Sequence, residues 1–182
     1  GAVWRWFGGQ AYSRAGTLGL NYSHPLGRKA QLRAAASLAL VDNRFNRLQD
    51  GQSYTLSLSL ERALSDRSGI GLSVSADRQD LNDPGYSTWG GQATVFGYRE
   101  VGPVTAVASL TYGRLEADER LFLFPLARSD RFVRASLGGT FRNFRIGQFA
   151  PFLRTTFERS QSTSEIHDYR KLRTEIGVTR AF

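Results

Sequence analysis

Ser164, Glu165, His167 and Asp168 fall within one short stretch, RSQSTSEIHD, and offer the residue types of a nucleophile, a general base and an orienting carboxylate. Together they would suit acyl transfer. A triad needs its three side chains to converge from rigid positions, and near neighbours in a Ser/Thr-rich loop rarely face one another in that way. The expected role is therefore solvated loop polarity, and the chain is not expected to be an enzyme. His24 stands far away, before Pro25-Leu26-Gly27. Two distant histidines and no cysteine supply no metal site, and no cofactor is expected.

A second set of charged residues is spread along the chain: Arg33, Glu61, Asp77, Arg134, Arg154, Glu158, Arg173 and Glu175. Each sits in a segment whose residues alternate between apolar and polar, and each belongs to the polar phase. In GQSYTLSLSLERAL the residues Tyr54, Leu56, Leu58 and Leu60 share one face, opposite Ser53, Ser57, Ser59 and Glu61. In RSGIGLSVSAD, Ile70, Leu72, Val74 and Ala76 oppose Gly71, Ser73, Ser75 and Asp77. A two-residue period means strands, and helical spacing fits none of these segments.

The pattern predicts strands near 2–9, 15–24, 29–42, 52–63, 68–78, 87–99, 103–115, 130–142, 149–160 and 168–182. In the sixth, Trp89, Ala93 and Val95 compete in phase with Phe96 and Tyr98, and the tandem Gly90-Gly91 marks a candidate bulge. Connections alternate in length. Short ones occur at 25–28, 63–68, 100–103 and 142–148, with longer ones between them. Tight turns at one end and longer loops at the other are the sequence signature of an up-and-down antiparallel β-barrel in an outer membrane. The short turns and the C-terminus then lie in the periplasm and the long loops outside. The whole chain is read as a single all-β barrel domain or barrel segment.

Bulk properties agree with this class without demanding it. The 182 residues have 41% hydrophobic content, a net charge of +8 and no cysteine, with a mean hydropathy of -0.34. No window carries the apolar run of a membrane helix or a signal peptide. The positive charge is nearly all arginine, scattered singly or in pairs. It therefore points to a polar lumen and anionic lipid head groups, and nucleic acid is not an expected partner.

The apolar faces are expected to point outward, into lipid. About eight strands leave an interior that side chains can fill, whereas ten leave too much volume for Leu, Ala and Val to pack. Aromatic residues including Trp4, Trp6, Tyr22, Tyr54, Tyr86, Trp89, Tyr98, Tyr112, Phe141, Phe149 and Tyr169 fall near predicted strand ends, where interfacial girdles form. Arg170 and Arg180 occupy the apolar phase at the two ends of the last strand, and mark the expected edges of the bilayer.

Within such a barrel the eight polar-phase residues line the lumen. Arg154 and Glu158 come within reach of Glu175 and Arg173 across the last hairpin. Pairs of this kind either stiffen the wall or line a polar path. The stretch LFLFPLARSD adds Leu121, Phe122, Leu123, Phe124 and Pro125 in a connection expected to be wet. It plugs the lumen, contacts a partner or extends the strands beyond the membrane.

Three stretches resemble a known family. The ending FAPFLRTTFERSQSTSEIHDYRKLRTEIGVTRAF, the opening RWFGGQAYSRAGTLGLNYSHPLG and the segment FPLARSDRFVRASLGGT are similar to parts of the C-terminal barrel of the surface lipoprotein assembly modulator family. The resemblance implies a role in protein export, delivering lipoproteins or soluble cargo to the surface of a Gram-negative bacterium. Its implied partners are membrane lipid, the outer-membrane assembly machinery and the polypeptide cargo. It further implies that Phe182, with Leu172, Ile176 and Val178 on the same face, is the signal read by that machinery. A helical-repeat domain and further strands are expected ahead of Gly1. A passive porin or structural barrel is the alternative.

Overall fold

From Gly51 to Ser65 serines and leucines alternate almost without a break, and an extended chain must send them to opposite sides. Nine other segments are also extended. The computed structural model describes residues 1–144 and 149–180, apart from the Phe7 side chain. Its strands are β1 (Ala2–Phe7), β2 (Gln10–Pro25), β3 (Ala30–Asn43), β4 (Gly51–Ser65), β5 (Ser68–Leu81), β6 (Thr88–Val101), β7 (Val104–Ala117), β8 (Ser129–Phe141), β9 (Phe149–Ser162) and β10 (Tyr169–Arg180). All ten form one antiparallel sheet in chain order. Among the described residues β1 pairs only with β2 and β10 only with β9, so the sheet is not closed. No described helix is long and apolar enough to cross a membrane, which leaves strands out of account.

The two faces of the sheet are unlike in accessibility. Along β4 each apolar-phase residue from Tyr54 to Leu60 is exposed, and each residue of the opposite phase from Ser53 to Glu61 is partly covered. Leu56 is 61% exposed and Ile176 82%, while Ala150 is the one buried hydrophobic residue among those described. The sheet therefore curls around its hydroxyls, glycines and charges and leaves its leucines on the convex side.

Pairing is staggered as a curled sheet requires. One directly paired convex row runs His24, Leu32, Leu60, Leu72, Val95, Leu110, Ala135, Phe157, Leu172. It starts one residue from the lower end of β2 and finishes three residues from the upper start of β10. Strands offset in this way are tilted to the axis about which the sheet bends.

Several details differ from expectation. The first turn was expected at residues 10–14 and is instead Gly8-Gly9, with φ of 58° and 78°. That is a two-residue hairpin in which both positions need positive φ. It lies at the long-loop end, so the alternation of lengths has an exception there. The tandem Gly90-Gly91 forms no bulge, since pairing of β6 with both neighbours runs through it unbroken. The irregularities are elsewhere, at Arg5/Trp6 and Ala63/Ser65.

Phe96 and Tyr98 win the concave phase of β6 because small residues face them. A Cβ on Gly71 would meet the Phe96 ring at 2.3 Å, and one on Gly69 the Tyr98 ring at 2.6 Å. Tyr98 and Tyr169 thus belong to the concave face and not to an outer girdle. Phe132 over Gly113 and Phe152 over Gly177 repeat the arrangement. A ring laid on a cross-strand glycine fills the missing side chain and pins the register.

At the upper end β3, β5, β7 and β9 run one to three residues further than expected, leaving loops at 44–50, 82–87, 118–128 and 163–168. Backbone hydrogen bonds join the first three loops to one another and the last loop to the head of β8. Asp83 donates to Leu48 at 3.1 Å, Asp118 to Ser87 at 3.0 Å and Thr163 to Ser129 at 3.1 Å. The result is a knitted rim.

Candidate functional site: the polar concave face

The curl of the sheet gathers the polar phase of non-adjacent strands into clefts, among them a lower and an upper one. The lower one, about 650 Å³, lies over β7 to β10 and is lined by Arg134, Arg154, Glu158, Lys171, Arg173 and Glu175 together with Ser and Thr hydroxyls. Five of these six charged residues are among those the sequence pattern singles out. Lys171 is the omission, although it shares the phase of Arg173 and Glu175 and the same alternation identifies it.

The pairing inside this cleft differs from the expected ladder. The register does set Arg154 opposite Glu175 and Lys171 opposite Glu158. Yet Glu158 turns the other way, accepting from Arg134 Nε of β8 at 2.6 Å and from the Tyr169 hydroxyl. Glu175 accepts from Arg173 of its own strand. Arg134 and Lys171 both stand directly opposite Glu158, in the β8–β9 and β9–β10 registers, and of the two only Arg134 bonds to it.

Across the sheet the other three candidates lie over β3 to β5, with Asp77 level with Thr55 and apart from Arg33 and Glu61. Arg33 donates to Glu61 at 2.9 Å and to Gln31 at 3.0 Å, and Gln31 donates to Ser23. Asp77 accepts from the Thr55 hydroxyl at 3.0 Å. These side chains are partly solvated, so each pair is worth about 0–1 kcal/mol. Their main effect is to hold charge at fixed points on a wet wall.

No family model matches the chain, and no curated protein or solved structure is significantly similar to it.

The upper cleft, about 770 Å³, lies under the knitted loops. Val3 and Arg5 of β1 line it together with Leu121, Arg128, Ile166 and His167 from loops at the far side. Arg128 donates to Asp130 at 2.8 Å, and Asp130 also accepts from Ser162 at 2.6 Å. The sequence pattern does not single out this cluster, although Asp130 shares the polar phase of Arg134.

The nucleophile-like group does not assemble. His167 Nδ1 lies 3.3 Å from Ser164 Oγ, while Asp168 pairs with Arg159 at 3.0 Å and leaves the imidazole without a carboxylate behind it. Burial and the nearby Arg128 guanidinium hold the His167 pKa below its ordinary value, against a smaller opposing effect of Asp130.

The apolar loop stretch divides. Leu121 turns into the upper cleft, whereas Phe122 and Leu123 are 96% and 85% exposed beyond the rim. Phe124 closes a turn by donating to the Leu121 carbonyl at 2.9 Å, and Pro125 follows it at the surface. Leu172, Ile176 and Val178 lie together on the convex face of β10, and Phe182 falls outside the described residues.

Proposed function

We propose that this chain forms wall of a transmembrane β-barrel in the bacterial outer membrane, and that the wall belongs to a conduit delivering lipoproteins or soluble cargo to the cell surface. The inverted polarity of the sheet carries the membrane part of this reading. Exposed leucines, isoleucines and valines cover the convex side, hydroxyls and ions cover the concave side, and only Ala150 is a buried hydrophobic residue among those described. A chain of this size in water needs an apolar core to offset its conformational entropy. Lipid removes that requirement by covering the convex face.

The dimensions are consistent with a bilayer. Arg170 and Arg180 bracket the convex row Leu172, Thr174, Ile176, Val178 on β10. Ten residues at about 3.3 Å each, tilted by about 40°, rise roughly 25 Å, the height of an outer-membrane apolar band. Neither arginine then has to cross the hydrocarbon.

The export role rests on the family resemblance together with a hydroxyl- and ion-lined wall that an unfolded polypeptide could pass without sticking. Deleting the chain in its own host should leave a specific lipoprotein trapped inside the cell. Replacing Arg154, Glu158, Arg173 and Glu175 with Ser should impair cargo display while assembly in the membrane proceeds. Normal display in both strains, with altered solute permeability alone, would leave the passive porin as the better account.

A further inference from the structure

The charges of the concave face are not evenly shared. Over β3 to β5 the concave charges are Arg33, bonded to Glu61, and a second acid, Asp77, further up the wall beside Thr55. Over β8 to β10 the balance reverses, with Arg134, Arg154, Lys171 and Arg173 around Glu158 and Glu175. Both carboxylates there are already engaged. Glu158 takes Arg134 on one oxygen and the Tyr169 hydroxyl on the other, and Glu175 takes Arg173.

Arg154 and Lys171 remain. Neither makes an ion pair or a side-chain hydrogen bond among the described residues, although each faces an acid in the register. They flank Arg173 on the wall of the 650 Å³ cleft, beside the hydroxyls of Thr111, Ser136 and Thr156. Two cations that no carboxylate holds in a direct bond, Lys171 lying within the field of Glu158, together with hydroxyl donors between strands are the elements of an oxyanion site.

We propose that Arg154 and Lys171 form an anion-binding site on the lumen wall, taking carboxylate or phosphate oxygens. Two sources share that chemistry: acidic side chains of an extended peptide and free anionic solutes. The site rests on the concave face being a wet wall, and it sharpens the export reading by giving the passing segment a chemistry. A peptide carrying several carboxylates engages both cations at once, whereas a single small anion engages one or bridges them weakly. The opposite wall, with its acid excess, repels the same segment and keeps it on this side.

The test uses the full chain refolded in detergent micelles, with strand content checked by circular dichroism. Fluorescent pentaglutamate is titrated by anisotropy at low salt, and inorganic phosphate is the second ligand. The double variant Arg154→Ser/Lys171→Ser should weaken pentaglutamate binding about tenfold, two exposed charge contacts at roughly threefold each. The charge-keeping variant Arg154→Lys should retain it, as should Arg62→Ser on the convex face. Binding unchanged in the double variant, or lost equally in Arg62→Ser, would overturn the site. Phosphate binding that falls in the double variant while pentaglutamate does not bind upholds the site and makes free anions its source. The export reading fails separately, through normal cargo display after deletion, and that outcome leaves the anion site standing.

Discussion

Leu58→Arg separates a lipid-covered convex face from a water-covered one. Leu58 is 46% exposed and lies between Ala34 and Val74 in the pairing of β4 with its neighbours. It sits six residues below Gln52 and four above Arg62 on the convex row, which places it near the middle of the apolar band. Four residues along a tilted strand are about 10 Å of depth, too far for the new guanidinium to reach head groups without thinning the bilayer. The expected cost is about 2–4 kcal/mol, or roughly 30- to 1,000-fold in the folding equilibrium. Its neighbour Ser57 points to the concave side, so Ser57→Arg should cost under about 1 kcal/mol. Both variants are refolded into lipid vesicles across a urea series and followed by tryptophan fluorescence. In water the same leucine is a surface residue, and Leu58→Arg would fall within about 0.5 kcal/mol of wild type. Equal midpoints for the two variants, or a Leu58→Arg protein that stays folded in plain buffer, would refute the assignment of faces.

Gly71→Ala should destabilise the sheet by about 1–3 kcal/mol, because the added Cβ would stand 2.3 Å from the Phe96 ring. A double-mutant cycle with Phe96→Ala should recover about 1 kcal/mol, and simple additivity would show that the ring does not occupy the glycine. Asp118→Asn should free the 118–128 loop, since Asp118 takes both Arg78 guanidinium nitrogens at 2.6 Å. That hydrogen bond holds the Asp118 pKa below its ordinary value, against a smaller effect of desolvation. Its stabilisation is therefore fully present above about pH 4 and lost as pH falls through the lower folded value. Amide exchange at Asp118, bonded to Ser87 at 3.0 Å, should speed up in the variant at pH 7 and converge with wild type in acid.

The strands were legible because the period of two is strong and most strands are amphipathic on their own. β4 and β5 read directly from SLSL and SVSA. Where both phases carry apolar residues, the sequence is silent about orientation. In β6 the choice fell to Gly69 and Gly71 on the neighbouring strand, and a cross-strand glycine leaves no mark within β6 itself. The Gly8-Gly9 turn carried a readable signal, since paired glycines between apolar runs favour a two-residue hairpin. Ion pairs were less accessible to the chain reading. Phase alone placed Arg134, Glu158, Arg173 and Glu175 on one wall, but Arg134 and Lys171 both stand directly opposite Glu158, and side-chain geometry, which the sequence does not carry, selects Arg134. The loop rim was least legible, being built from main-chain hydrogen bonds that side-chain types do not announce.

The open edges bear on how the sheet can exist in lipid at all. Each strand directs alternate amides to its two sides, so of the twelve residues of β10 about half aim away from β9. Unpaired amides in hydrocarbon cost several kcal/mol each, and a row of six would outweigh the net stability of most domains. In the bilayer that row must therefore be covered. The even number of strands permits β10 to run antiparallel to β1, and added strands would serve equally, because the physical demand is only for a partner. Hydrogen exchange in vesicles measures this demand directly. If the sheet spans lipid, amides of both alternating sets in β10 should be protected to a similar degree. If one set exchanges at solvent rates while the other stays protected, the edge is in water, and the sheet cannot be the sealed wall proposed above.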